Sequence, residues 1–136
     1  MSLPVSIQAL PDYQPDRVEA ALQALLAPLG GMQAFIKPGQ RVLLKPNLLA
    51  GKPPDKAVTT HPEIVRQTIL MAQACGGIVS VGDSPGIGKA ETVARKSGIL
   101  SVIEETGARF APFDESTTIH PHGTTFHSLE VASAIL

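Results

Sequence analysis

Lys45, Asn47, Thr60, His61, Asp83, Ser84 and Gly86 are the residues of this sequence best suited to chemistry, and they fall into three short clusters. Lys45-Pro46-Asn47 sets a cation and an amide directly after an apolar run. Thr60 and His61 stand before a helix-like pattern, where free backbone amides suit anions. Gly82-Asp83-Ser84-Pro85-Gly86 follows a second apolar run, and glycines 82, 86 and 88 let the backbone approach a ligand closely. Together these groups point to a site for a small anion. Lys45 supplies charge, the amides supply donors, and Asn47, Asp83 and Ser84 set orientation. An alternative is acid–base or metal-assisted enzyme chemistry, with Asp83 and His61 as the titrating pair and Lys45 stabilising negative charge. Each residue also has a plainer role. Residues 83–86 suit a capped turn, Lys45 a snorkelling strand end, and His61 an exposed first helical turn. A docking module without any ligand is the third reading.

Elements that would position these groups are visible in the hydrophobic pattern. Residues 5–10 alternate weakly and predict a first strand, ended by Pro11. Pro15 opens a helix whose stripe is Val18, Leu22, Leu25 and Leu29, closed by Gly30-Gly31. Residues 42–44 form an unbroken apolar strand, stopped by Pro46. After a loop of about ten residues, Thr60 predicts a helix cap, with Pro62 in the first turn and Glu63 reaching back. That helix ends at Gly76-Gly77, and residues 78–81 give the next strand. Helices over 90–97 and 99–106 precede a fourth strand over 109–112. Alternating strands and helices predict an α/β fold: a mainly parallel sheet of about four strands, helices on both faces, and right-handed crossovers. Ligands in such sheets bind beyond the carboxyl ends of the strands, which is where the clusters fall, together with Phe113-Asp114-Glu115 after the fourth strand. A C-terminal β-hairpin is expected from residues 117–121 and 126–131, turning near His122-Gly123. Residues 132–136 open a further element, so a single α/β domain over 1–136, truncated from a longer protein, is expected.

Several classes are excluded or disfavoured. A net charge of -1 gives no basic surface for nucleic acid and no attraction to an anionic membrane. No apolar run is long enough to span a bilayer, and the first residues lack the basic and apolar regions of a secretory signal. A cytoplasmic setting is expected. Residues 82–90 miss the phosphate-loop pattern, because five residues rather than four lie between Gly82 and Gly88, and Ala90 replaces the hydroxyl. The dinucleotide fingerprint fails because Glu91 stands where a glycine is needed after Gly86 and Gly88. His120, His122 and His127 could share a strand face as metal ligands, but flanking Pro121 and Gly123 favour loop histidines in a hairpin, and no metal site is expected. Cys75 is the sole cysteine, read as a small residue at a helix end, so no disulfide and no four-cysteine cluster forms within this chain.

The strings VLLKPNLL, TTHPEIVRQTI and GGIVSVGDSPGIG, in this order and spacing, resemble domain-of-unknown-function family 362, from about Val42 to Leu136. Members are bacterial and archaeal proteins often labelled iron–sulfur cluster-binding. The resemblance implies an N-terminal fragment of an electron-transfer protein, with any [4Fe–4S] cluster in a downstream module and no cofactor held here. The oligomeric state is not legible.

Overall fold

The computed structural model describes residues 5–123 and 125–136. Its order is helix α1 (Pro15–Leu26), strand β1 (Arg41–Leu44), α2 (Pro62–Ala74), β2 (Ile78–Val81), α3 (Ala90–Lys96), α4 (Ile99–Thr106), β3 (Arg109–Phe110), and then β4 (Ser116–Ile119) and β5 (Leu129–Ala132). Strands β1, β2 and β3 form one parallel sheet in that spatial order, with Leu44 opposite Val81 and Val81 opposite Phe110. β4 and β5 pair antiparallel as the expected hairpin, Ser116 facing Ala132.

The mixed α/β architecture is therefore as expected, with three differences. Residues 5–10 form no strand; Val5 and Ile7 are 84% and 89% exposed, so their alternation finds no apolar surface to bury. The parallel sheet consequently has three strands, and the last is only two residues long. The α-helices α2, α3 and α4 also share one face, and the other carries only a 3-10 turn over Ser133–Ile135. Val42, Leu44, Val79 and Val81 pack with Val65 and Ile69 of α2, Val93 of α3 and Ile99 and Ile103 of α4 in a single aliphatic core. Strand order runs 1-2-3 without reversal, and successive right-handed crossovers in one direction deliver their helices to the same side. Leu43 and Ser80, pointing the other way, border a cleft closed by Ala134, Ile135 and Leu136.

Local chemistry explains the boundaries. α1 begins with Pro15 at its first turn and buries Val18, while α2 packs against both α1 and α4. α2 starts one residue later than the sequence predicts. His61, not Thr60, is the cap, and its Nδ1 accepts the Glu63 amide at 3.2 Å. Thr60 is unavailable because its Oγ1 is taken by the Asn47 amide. Between α3 and α4 the chain reverses at Gly98, whose φ of 79° is a left-handed conformation that glycine adopts without strain.

Candidate functional site

The carboxyl end of the sheet is built by two loops. Residues 45–61 leave β1 and return at α2; residues 82–89 leave β2 and enter α3. Their spacing depends on Gly82. Its amide continues the ladder to the Leu44 carbonyl at 3.0 Å, and its α-carbon lies against the end of β3. A β-carbon there would sit 1.7 Å from the Ala111 carbonyl oxygen. The next residue, Asp83, turns its carboxylate to Lys45 and Leu48 of the other loop.

Asp83 is 4% exposed, and its polar atoms are occupied. One carboxylate oxygen meets Lys45 Nζ at 2.6 Å. The other accepts the Leu48 amide at 3.0 Å, and the Ser84 amide also donates to the carboxylate. Burial pushes the acid up, but the lysine hydrogen bond and the two amides outweigh it and hold the carboxyl below its ordinary range. Asp83 is thus an anionic anchor: it fixes Leu48, which is fully buried, and aims Lys45.

Lys45 keeps 61% of its side chain in solvent, and only one of its ammonium donors is committed to Asp83. Beside it lies a small cavity of about 250 Å³ lined by Leu44, Lys45, Pro46, Thr60, Ile64, Val65 and Thr68. A second cavity, about 660 Å³, adjoins it through Thr60 and Ile64 and is otherwise lined by Tyr13, Pro54, Asp55, Ala57, Thr59 and His61. A larger hollow of about 770 Å³ runs between α1 and α2, but no charged group converges on it beyond Glu19.

The remaining candidates divide by what already holds them. Asn47 and Thr60 lock together: the Asn47 amide donates to Thr60 Oγ1 at 3.0 Å, and the Thr60 amide to the Asn47 carbonyl at 3.1 Å. The Asn47 side chain donates to the Val58 carbonyl at 3.1 Å, so much of its capacity goes into shaping the loop. Ser84 is exposed next to the anchor. Gly86 gives room to Leu49, whose Cδ1 would lie 3.0 Å from an added β-carbon. His61 lies at the α2 start, its pKa lowered chiefly by burial and partly restored by Glu63. Among the described residues no hydrogen bond or ion pair joins it to Asp83. Asp114 and Glu115 are exposed, and among the described residues no hydrogen bond or ion pair ties their side chains to Lys45 or Asp83. His120 Nδ1 lies 3.1 Å from the His127 carbonyl oxygen. Among the described residues no group of three or more His, Cys, Asp or Glu side chains is placed to hold a metal ion.

Sequence reasoning missed two contributors. Tyr13, ahead of α1, stacks on His61 with ring centroids 3.6 Å apart and planes 5° from parallel. Nothing in local spacing joins residues 13 and 61. The other is the Leu48 amide, invisible because a backbone group carries no signature in the sequence.

The chain is 41% identical over 120 residues to thylakoid-associated protein sll1697 of Synechocystis sp. (strain ATCC 27184 / PCC 6803 / Kazusa), covering 82% of this chain and 37% of that protein. The chain thus spans little more than a third of that relative's length. No solved structure matches it. The profile described as "Domain of unknown function (DUF362)" matches residues 42–136, which include Lys45, the Asn47–Thr60 lock, His61 and the Asp83 anchor, and the chain belongs to that family.

Proposed function

We propose that this chain is the small-anion-binding α/β domain of a larger iron–sulfur redox protein. The observation that carries the reading is Lys45: a mostly solvated ammonium at the end of a core strand, aimed by a buried carboxylate and bordering a cavity with two threonines. Asp83 does not cancel it. Two backbone amides share the carboxylate's charge, and two of the three ammonium protons remain for a ligand. A small anion such as phosphate or a carboxylate fits this donor set. With one cysteine in the chain, cluster ligands belong to the rest of a longer protein, and the [4Fe–4S] assignment rests on the family resemblance alone.

Calorimetric titration of orthophosphate and small carboxylates tests the anion site, in this chain and in the full-length protein. Binding is expected to weaken about tenfold or more in Lys45→Ala, the scale of one lost charge-assisted hydrogen bond. An unchanged affinity in that variant, or no heat in either protein, refutes the assignment. Iron and acid-labile sulfide analysis of the full-length protein tests the redox context separately.

Acid–base chemistry by Asp83 and His61 has less support, because Asp83 is engaged on both oxygens by Lys45 and Leu48, and His61 Nδ1 by Glu63. Cytoplasmic placement belongs to the proposal as well. Among the described residues no helix is long and apolar enough to cross a membrane. Recovery of the full-length protein with membranes would overturn that placement and align it with the thylakoid association in its relative's name.

A further inference from the structure

We propose that the ligand of Lys45 carries its negative charge on an uncharged planar ring, and that this ring rests against the Tyr13–His61 stack. The proposal builds on the anion site above and names the other half of its ligand.

The geometry supports this in three ways. First, the Lys45 cavity and the Tyr13 cavity are neighbours, sharing Thr60 and Ile64 as a common wall. A molecule anchored at Lys45 and long enough to pass Thr60 and Ile64 would reach the second space. Second, that space is bounded by two stacked, nearly parallel rings brought from chain positions 48 residues apart, with Pro54, Ala57 and Ile64 as apolar neighbours. Aromatic and proline surfaces of this kind favour flat, weakly polar groups. Third, the charges are asymmetric. Asp55 lines the Tyr13 cavity, with Lys56 Nζ at 2.9 Å, and no lysine or arginine lines the cavity itself. Lys56 balances Asp55 but leaves no cation in the lining, whereas Lys45 lines the neighbouring cavity, so the anion belongs at the Lys45 end. The polar groups beside the ring site are the Thr59 and Thr60 hydroxyls and the His61 ring. Because His61 Nδ1 accepts the Glu63 amide, the proton of the neutral ring sits on Nε2.

Phenyl phosphate and inorganic phosphate are the probes, titrated calorimetrically into the 136-residue chain. Phenyl phosphate is expected to bind about tenfold more tightly, the scale of one buried aromatic contact. In Tyr13→Leu the ratio of the two affinities falls to about one, whereas in Tyr13→Phe the preference persists. Tyr13 is the only tyrosine and the chain has no tryptophan, so its fluorescence reports the stack directly. Phenyl phosphate is expected to change that emission, and inorganic phosphate to leave it unaltered. Circular dichroism of both variants checks that the fold persists. Equal affinities in the wild type, or a preference that survives in Tyr13→Leu, overturn the ring site while leaving the anion site standing. Absence of binding by both probes overturns the two together.

Discussion

The sheet's carboxyl rim and the C-terminal hairpin are both rich in polar side chains, yet they are held in opposite ways. At the rim, a buried carboxylate joins two loops, and a glycine with no room for a side chain sets their distance. In the hairpin, Ser116, Thr117 and Thr118 are exposed, the Ser133 amide to the Glu115 carbonyl only extends the hairpin's own ladder, and the tie to β1 runs from Arg41 to the Leu136 carbonyl beyond the hairpin. Polar residues clustered in sequence become a site only where something buried fixes their direction. Among the described residues no buried group fixes the hairpin histidines, whereas Asp83 fixes Lys45.

This contrast can be broken most severely at Gly82. Gly82→Ala forces the β2 and β3 ends apart, since the Ala111 carbonyl is rigid backbone. It should cost about 3 kcal/mol in a denaturant titration. An equally stable variant would show that the strand ends are not tightly coupled. Asp83→Asn comes next, with a loss of about 2 kcal/mol. Most of that loss comes from the Leu48 and Ser84 amides, because the exposed ammonium of Lys45 is screened by water. The same variant probes acid behaviour. Asp83 has a depressed folded pKa, so its contribution is fully present above about pH 4 and disappears as pH falls through the lower folded value. Wild type should lose stability there, and the asparagine variant should lose less.

A smaller effect sharpens the picture at His61. Its folded pKa is lowered, so the neutral ring is favoured by folding. That contribution is complete above about pH 6.5 and fades as pH drops toward the folded value. Thermal melts of wild type should fall between pH 7.5 and 5.5. His61→Asn keeps a good helix cap, and its melts should vary less over this range. The same slope in both proteins would place the titrating group elsewhere. Smallest of all, His120→Ala should change stability by no more than about 0.5 kcal/mol and leave anion affinity untouched. A large loss would mean that the hairpin is anchored after all.

Much of the frame was legible because it follows from short-range rules. The helix over Ile99–Thr106 lies between two glycines, and residues 78–81 alternate with a buried face, so both emerged as read. Residues 5–10 misled because alternation records what a strand can bury, not whether a partner exists. The order of strands, and with it the one-sided helical layer, depends on long-range pairing that no window of sequence contains. The rim was visible as residue types at strand ends. How they bind each other was not, since the Lys45–Asp83 pair spans 38 positions and the partner of Thr60 turned out to be a loop amide.

The reciprocal Asn47–Thr60 clasp has a consequence for how the domain can vary. It pins both feet of the excursion between β1 and α2, and Val58 is tied to one foot. Inserted residues around 52–56 would then lengthen a tethered arc without moving the strand end or the helix start, and each doubling of such an arc costs only about 0.6 kcal/mol. That stretch is the natural place for relatives to differ in length, and a longer arc would reshape the Pro54 and Asp55 wall of the Tyr13 cavity while the sheet stays put.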